Sequence, residues 1–293
     1  MELDYVKLKD VKPALSGYIS EAQALLKLRP VPDDKVVHDV RVLMKKSRAV
    51  MRLIGSQIDE ESYNREYGTF REIGQIMSTW RDTSVHRKTL KNLKKNHPGL
   101  FSTLSENEKL NALLRKTDTP AEPSPDLQTD LQMIDDLLGK SGYRIRFQSM
   151  SNFDPKQLLT ELDKTYNIVT DKYLACRNSM KTTDLHQFRK RAKDFLYQLW
   201  FFRPLNPGKV KALEKRLDIL TMNLGKNNDI AQLIMTLEYK YTGSGNPPAL
   251  DELILIIRKA QDTYLSKVWP LAYKIFCPGQ KLVNLLGFRV LMI

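Results

Sequence analysis

Apolar residues recur at three- and four-residue spacing along most of the chain, and alternating runs are few. This period predicts α-helices rather than strands. The candidate helices are about 13–28, 34–54, 62–79, 82–96, 105–116, 126–139, 154–178, 184–202, 208–223, 229–241, 249–264 and 267–276. Between them lie proline- and glycine-containing loops, the longest being TPAEPSP at 119–125, and an irregular, partly aromatic segment at 140–153. The pattern predicts an all-α protein.

The chain also resembles itself. The stretch VVHDVRVLMKKSRAVMRLI (36–54) is similar to TDLHQFRKRAKDFLYQLWFF (183–202) when His38 is aligned with His186, 148 residues apart. Downstream, TWRDTSVHRKTL (79–90) is similar to GKNNDIAQLIMTL (225–237), with Asp82 and Asp229 aligned at a spacing of 147. Two separate matches at nearly the same spacing predict a duplicated multi-helix unit. We place the first helical repeat at 1–117, the second at 126–293 and a Pro-rich connection at 117–125.

One face of the predicted helix 34–54 carries only cations. His38, Arg41, Lys45, Arg48 and Arg52 fall within about 80° of arc over roughly 21 Å of helix axis. The apolar residues of this helix lie on the opposite side, and no acid interrupts the basic row. Like charges at this spacing cost a few tenths of a kcal/mol per pair. Such a row indicates a surface that an external anion neutralises.

The second half repeats the arrangement. His186 begins a row that continues through Arg189, Lys190 and Lys193 and reaches Tyr197. We expect Asp33 or Asp34 to cap the first helix and Thr182, Thr183 or Asp184 to cap the second, which places both histidines in first turns. Backbone N–H groups at a helix N-terminus beside a cation row form a ready phosphate site.

The overall charge supports a polyanionic partner. The chain has 47 Lys and Arg residues against 34 Asp and Glu, a net charge of +13. Nucleic acid, an anionic membrane surface and phosphate polymers are all compatible with it. The two cysteines are too few for a disulfide framework or a zinc site. The N-terminus does not read as a signal peptide and no apolar run is long enough to span a membrane, so we expect a cytoplasmic protein without membrane insertion.

No pattern in the sequence indicates catalysis. P-loop, GxGxxG, GxSxG, HExxH and CxxC motifs do not occur. A metal site needs several converging ligands, and His38 is surrounded mainly by cations. Asp82 and Asp229 each precede an apolar run, and we interpret them as N-caps. We predict no catalytic residue, no metal ligand and no cofactor.

Four ordered motifs resemble those of the CHAD family, the α-helical domain named for its histidines. They are HDVRVLMKKSRAVMRLIG (38–55), WRD (80–82), LHQFRKRAKDFLYQLWFF (185–202) and LGKNNDI (224–230). The resemblance implies a single CHAD unit over 1–293, made of two pseudo-symmetric four-helix-type bundles with a basic central groove or pore. It also implies binding of inorganic polyphosphate without catalysis, and association with polyphosphate granules.

The resemblance carries over to individual positions of this sequence. Polyphosphate-binding residues are expected at His38, Arg41, Lys45, Arg48, Arg52, Arg81, His186, Arg189, Lys190 and Lys193, with Tyr197 and Lys226 as further candidates. The second half departs from the pattern, because Asn228 precedes Asp229 where Arg81 precedes Asp82.

Two other functions stay open at this point. A non-specific nucleic-acid-binding protein would bind duplex as well as it binds a phosphate polymer, and other polyanions would then also be ligands. An enzyme that processes polyphosphate or triphosphate would release or transfer phosphate in the presence of a divalent metal. The sequence leaves the oligomeric state undetermined.

Overall fold

The computed structural model describes residues 8–78, 80, 89–91, 93–106, 126–147, 153–241 and 248–287. Within these ranges the chain is helical and contains no β-strand, as the hydrophobic pattern predicted. The helices are α1 (Val11–Lys27), α2 (Asp34–Ile54), α3 (Glu60–Ile76), α4 (Pro98–Glu106), α5 (Leu127–Phe147), α6 (Pro155–Ser179), α7 (Thr182–Leu199), α8 (Pro207–Tyr241), α9 (Pro248–Phe276) and α10 (Leu282–Leu286). Short 3₁₀ turns at Gly55–Gln57 and Trp200–Phe202 follow α2 and α7.

Eight of these helices form two closed rings of contacts. In the first ring α1 contacts α2, α2 contacts α3, α3 contacts α5, and α5 returns to α1. In the second ring α6, α7, α8 and α9 contact one another in the same circular order. Each ring is a four-helix bundle, because the apolar stripe of each helix is covered by its two neighbours. The basic helices α2 and α7 hold the second position in their rings.

Helix α5 belongs to the first bundle by its contacts. Glu66 on α3 is fully buried, and its carboxylate accepts hydrogen bonds from the Ser141 hydroxyl (2.6 Å) and from the Arg144 guanidinium (3.1 Å to Nη2), both on α5. The sequence prediction placed the boundary before this helix, at 126, whereas the buried carboxylate ties it to α3. The two donors lie 75 and 78 residues from Glu66 along the chain, so local sequence signals do not reveal the pairing.

The two bundles meet through α2 and α7. These helices contact each other directly, and the Gln198 side chain of α7 donates a hydrogen bond to the Ala49 carbonyl of α2 (2.9 Å). One apolar core runs through both bundles and includes Met44 and Met51 of α2 and Phe188 and Phe195 of α7. A second, smaller cluster joins Leu90 and Phe101 to the C-terminal half of α8 and to α9. The apolar faces of the basic helices are therefore buried, and their cations lie at the edges of the contact between α2 and α7.

Several predicted helix boundaries are wrong, and three of them share one reason. The predicted breaks at 224–228 and 265–266 lie inside α8 and α9, α9 also continues through Pro270, and α5 extends to Phe147 through the segment expected to be irregular. Asp229 is therefore not an N-cap. Buried side chains on both sides of each break, such as Leu224 and Ile230 in α8, keep the helix on its neighbours. Tertiary packing here overrides the weak local preference of Gly, Asn and Pro.

We expect Glu66→Gln to lower the free energy of unfolding by about 2–3 kcal/mol, because a neutral amide replaces the buried acceptor of the Arg144 and Ser141 hydrogen bonds. Denaturant titration measures the change. The matched control is Glu61→Gln on the same helix, whose side chain is 88% exposed and pairs with Arg65 at the surface. That control should change stability by less than about 0.5 kcal/mol. Equal effects of the two substitutions would show that the buried carboxylate does not hold α5.

Candidate functional site

Helix α2 begins one residue after Asp33, as predicted, and this cap changes the expected anion site. The Asp33 carboxylate accepts hydrogen bonds from the N–H groups of Lys35 (3.1 Å) and Val36 (2.9 Å). These hydrogen bonds lower the pKa of Asp33, and the charge also suits the positive end of the helix dipole. His38 is the fifth residue of the helix, just past the first turn in which it was expected, and it is exposed. An anion on this row would therefore meet side chains rather than the end of the helix.

Arg41 connects the row to the end of α3. Its Nη1 donates to the carbonyl oxygen of Gly74, in the last turn of α3, at 2.6 Å. Carbonyls in the last turn of a helix lack partners within that helix, and a cation there also compensates the dipole. The arginine thus fixes the position of α3 relative to the row.

The first-turn prediction is also wrong for His186. The helix starts at Thr182 with Lys181 in the N-cap position and no side-chain cap, so His186 is again the fifth residue. Its half-buried ring donates from Nδ1 to the Oδ1 atom of Asn228 on α8 (2.9 Å). In the neutral ring this hydrogen bond selects the tautomer with the proton on Nδ1, so Nε2 carries no proton.

The two rows come together around this histidine. Burial lowers the pKa of His186, and the neighbouring cations Lys190, Arg189 and Lys45 lower it further, while the Asn228 hydrogen bond opposes them. Lys45 belongs to α2 and the other two cations to α7. The structure therefore places cations of both helices beside one imidazole that is mainly neutral at pH 7.

Arg189 lies against the backbone of α8 at Gly225. A Cβ atom at position 225 would stand 3.1 Å from Nε and 3.2 Å from Nη2 of Arg189. With any side chain at position 225, the guanidinium would have to shift by a few tenths of an ångström. Lys190, the next residue, is exposed.

The C-terminal part of the first row is engaged in an ionic network between the bundles. Arg52 pairs with Asp194 of α7 at 3.1 Å, donates to the Tyr67 hydroxyl and stands over the Tyr67 ring. Asp194 also pairs with Arg191 at 3.2 Å. Arg48 lies nearby, its pKa lowered mainly by burial and its Nε buried without a hydrogen-bond partner in the described part of the chain. The basic row does have an acid to relieve it, and that acid comes from the facing helix.

Lys193 is held in a similar way. Its ammonium pairs with Asp218 of α8 at 3.1 Å and lies 5.6 Å from the centre of the Tyr197 ring. Lys226 is exposed at the other end of this surface and stands over Tyr264 of α9 at 5.4 Å.

The predicted site residues thus divide into two sets. His38, Arg41, Lys45, His186, Arg189 and Lys190 occupy the N-terminal and central parts of the two helices, and we call them the N-terminal rows. Arg48, Arg52 and Lys193 lie in the C-terminal halves, where Asp194 and Asp218 balance charge. Arg81 lies outside the described residues.

Sequence reasoning missed Asp194, and it recorded Gly225 only as part of a motif and Asn228 only as a departure from one. The LGKNNDI motif contained the signal for Gly225 and Asn228. Gly225 permits the approach of Arg189, and Asn228 orients His186. The acid had a signal as well, because it follows directly after Lys193 in the second basic row.

The described residues contain no group of three or more His, Cys, Asp or Glu side chains that could hold a metal ion. None of the helices in the described ranges is long and apolar enough to cross a bilayer. No curated protein matches the chain significantly. The sequence model of the CHAD domain matches residues 14–238, which include most of α1, all of α2 to α7 and nearly all of α8. The chain belongs to the CHAD domain family.

Proposed function

We propose that this protein binds inorganic polyphosphate along the N-terminal rows and acts as a binding module rather than as an enzyme. The observation that carries the proposal is that cations of both basic helices, Lys190 and Arg189 of α7 and Lys45 of α2, lie close enough to His186 to lower its pKa. Cations gathered in this way repel one another, and a linear anion lying across them removes the repulsion. Membership of the CHAD family supports the same ligand.

The ion pairs of Arg52 and Lys193 support a limit to how far the site extends along the two helices. Arg52 is already paired with Asp194 and Lys193 with Asp218, so a phosphate at either residue would have to compete with a carboxylate. The N-terminal rows carry the excess positive charge. Arginine forks and lysine ammonium groups on two helices would share successive phosphates, and affinity would rise with chain length.

The site offers little for reading a base edge. Sequence readers in a DNA groove combine arginine with amide side chains that hydrogen-bond bases, whereas the amide of Asn228 is engaged with the His186 imidazole. This favours a phosphate polymer over nucleic acid. We place association with polyphosphate granules in the same proposal, as a consequence of binding.

Calorimetric titration with long-chain polyphosphate and with duplex DNA of equal phosphate content, at two salt concentrations, tests the ligand. We expect tighter binding of polyphosphate than of DNA, and weaker binding at the higher salt concentration, because binding releases counterions.

Lys45→Ala/Lys190→Ala should reduce the affinity for polyphosphate about tenfold or more, because two charge-assisted contacts are lost. The control is Lys140→Ala/Lys172→Ala, which removes the same charge from exposed positions on α5 and α6. Equal loss in both variants, or equal binding of DNA, would contradict the proposal, and metal-dependent phosphate release would identify an enzyme.

Gly225→Ala tests whether the placement of Arg189 matters. The added Cβ would force the guanidinium away from α8, so polyphosphate affinity should fall several-fold. Alanine normally stabilises a helix interior by about 0.5–1 kcal/mol relative to glycine, and we expect the displacement to cancel this gain. Gly139→Ala in α5 is the control, because nothing lies within 4 Å of its added Cβ. It should increase stability and leave binding unchanged. A Gly225→Ala variant that behaves like this control would show that Arg189 has no fixed role.

Polyphosphate affinity should increase as the pH falls from about 7 to 5. In the free protein the pKa of His186 is below its ordinary value of 6.5, and a bound polyanion raises it, so binding takes up a proton. The gain begins as the pH falls through the pKa of the complex and levels off below that of the free protein. His186→Gln should remove this part of the pH dependence in calorimetric titrations with the same ligand. The exposed His38 provides the comparison through His38→Gln. If the pH profile is unchanged in His186→Gln, the imidazole does not contact the ligand.

A further inference from the structure

A cavity lies next to the basic rows and differs from them in character. It has a volume of about 630 Å³ and is bounded by α1, α2, α7 and α8. Its lining includes Tyr18, Lys46, Tyr197, Trp200, Lys211 and Lys215, and we call it the aromatic cleft. The volume is within the range of small-molecule sites, roughly 300–1,000 Å³.

The charge in the aromatic cleft is positive and unbalanced. Its two carboxylates are engaged, Glu214 with Arg203 (2.7 and 3.0 Å) and Asp218 with Lys193 (3.1 Å). Across the described ranges, Lys46, Lys211 and Lys215 form no ion pair with a carboxylate. Three ammonium groups therefore face a cavity that contains no acid available to them.

The aromatic side of the cleft distinguishes it from the N-terminal rows. Three rings line the wall, and each has an ammonium group at its face: Lys46 at 5.4 Å from the Tyr18 centre, Lys193 at 5.6 Å from that of Tyr197, and Lys9 at 3.7 Å from that of Trp200. The rings are half-buried and so are held in place. An inorganic phosphate chain has no aromatic group that could stack on these rings. A ligand with a flat heteroaromatic ring and a phosphate tail would use the rings and the lysines together.

The corresponding place in the first bundle is closed. At the repeat spacing of 148, Lys46 corresponds to Asp194 and Trp200 to Arg52. There Arg52 of α2 pairs with Asp194 of α7, and the stacked rings of Tyr63 and Tyr67 (5.5 Å between centres) lie on the side of the first bundle. The second bundle has Lys211 and Lys215 at the positions of these tyrosines. The pair of buried glutamates at the same spacing, Glu66 and Glu214, supports the alignment. Within the described residues, this place is thus an open, basic cavity beside Lys211 and Lys215 and is filled beside Tyr63 and Tyr67.

We propose that the aromatic cleft binds a nucleoside phosphate. The base stacks on the wall formed by Tyr18, Tyr197 and Trp200, and the phosphates are bound by Lys46, Lys211 and Lys215. The ligand is small and occupies a site separate from the N-terminal rows, so this inference goes beyond the polyphosphate binding proposed above and does not depend on it.

Calorimetric titration with ATP, ADP and inorganic tripolyphosphate tests the inference. We expect ATP to bind, and Lys211→Ala/Lys215→Ala, which changes two exposed residues on one face of α8, to weaken it about tenfold or more. The matched control is Lys91→Ala/Lys95→Ala, an exposed lysine pair at the same i,i+4 spacing outside the cleft, which should bind ATP as the unchanged protein does. Tryptophan fluorescence follows the same titrations, and Trp200→Phe should remove most of the ATP-induced change.

Tripolyphosphate separates a nucleotide site from a general anion site. It carries the phosphates of ATP without the base, so it should bind the cleft at least tenfold more weakly. In Lys45→Ala/Lys190→Ala, where the N-terminal rows are weakened, equal affinity for ATP and tripolyphosphate would overturn the proposal. ATP binding that is lost in this variant and retained in Lys211→Ala/Lys215→Ala would also overturn it. Polyphosphate titrations of both double variants distinguish the two sites. Lys211→Ala/Lys215→Ala should retain polyphosphate binding, whereas Lys45→Ala/Lys190→Ala should weaken it.

Discussion

The packing of two basic helices against each other is the constraint on which this structure depends. The apolar faces of α2 and α7 join one core, so their cation rows are brought to the same contact whatever their mutual repulsion. Asp194 resolves the conflict at its most crowded point. Burial raises the pKa of this carboxyl, while Arg52, Arg191 and Arg48 act in the opposite direction. A buried carboxylate keeps its charge only beside such partners, and in return it neutralises arginines that would otherwise face one another.

This neutralisation divides the basic surface. Toward the C-terminal halves of the helices, Arg52 and Lys193 are paired with carboxylates and serve the contact between the bundles. Toward the N-terminal halves the charge stays in excess, and the polar groups there arrange it: Gly74 receives Arg41, Gly225 admits Arg189 and Asn228 orients His186. A row that is uniform in sequence thus has two parts in the structure. Its C-terminal part joins the bundles, and its N-terminal part is suited to an anion.

The sequence was sufficient wherever the decisive interactions are local. The bounds of α2 and its Asp33 cap follow from a few neighbouring residues, and the azimuth of the basic row follows from helical geometry alone. It was insufficient where a partner lies far along the chain. Spacing shows which face carries Arg52, but the acid facing it comes from α7, and the pairing that assigns α5 to the first bundle joins Glu66 to Arg144. The continuity of α8 likewise depends on what covers Leu224 and Ile230, not on the glycine and asparagines between them.

The divergence of the two halves explains the residue that departs from the family pattern. Asn228 occupies the place that Arg81 holds in the first half. An arginine has only donors, so it cannot accept the proton on Nδ1 of a histidine, whereas the amide oxygen of Asn228 does so at 2.9 Å. With Nδ1 fixed as the donor, Nε2 of the neutral ring is an acceptor and repels a phosphate oxygen. The ring becomes a ligand for phosphate only when it gains a second proton, which the surrounding cations resist and an anion favours. The substitution of asparagine for arginine therefore exchanges a permanent positive charge for one that forms when the proposed ligand is bound.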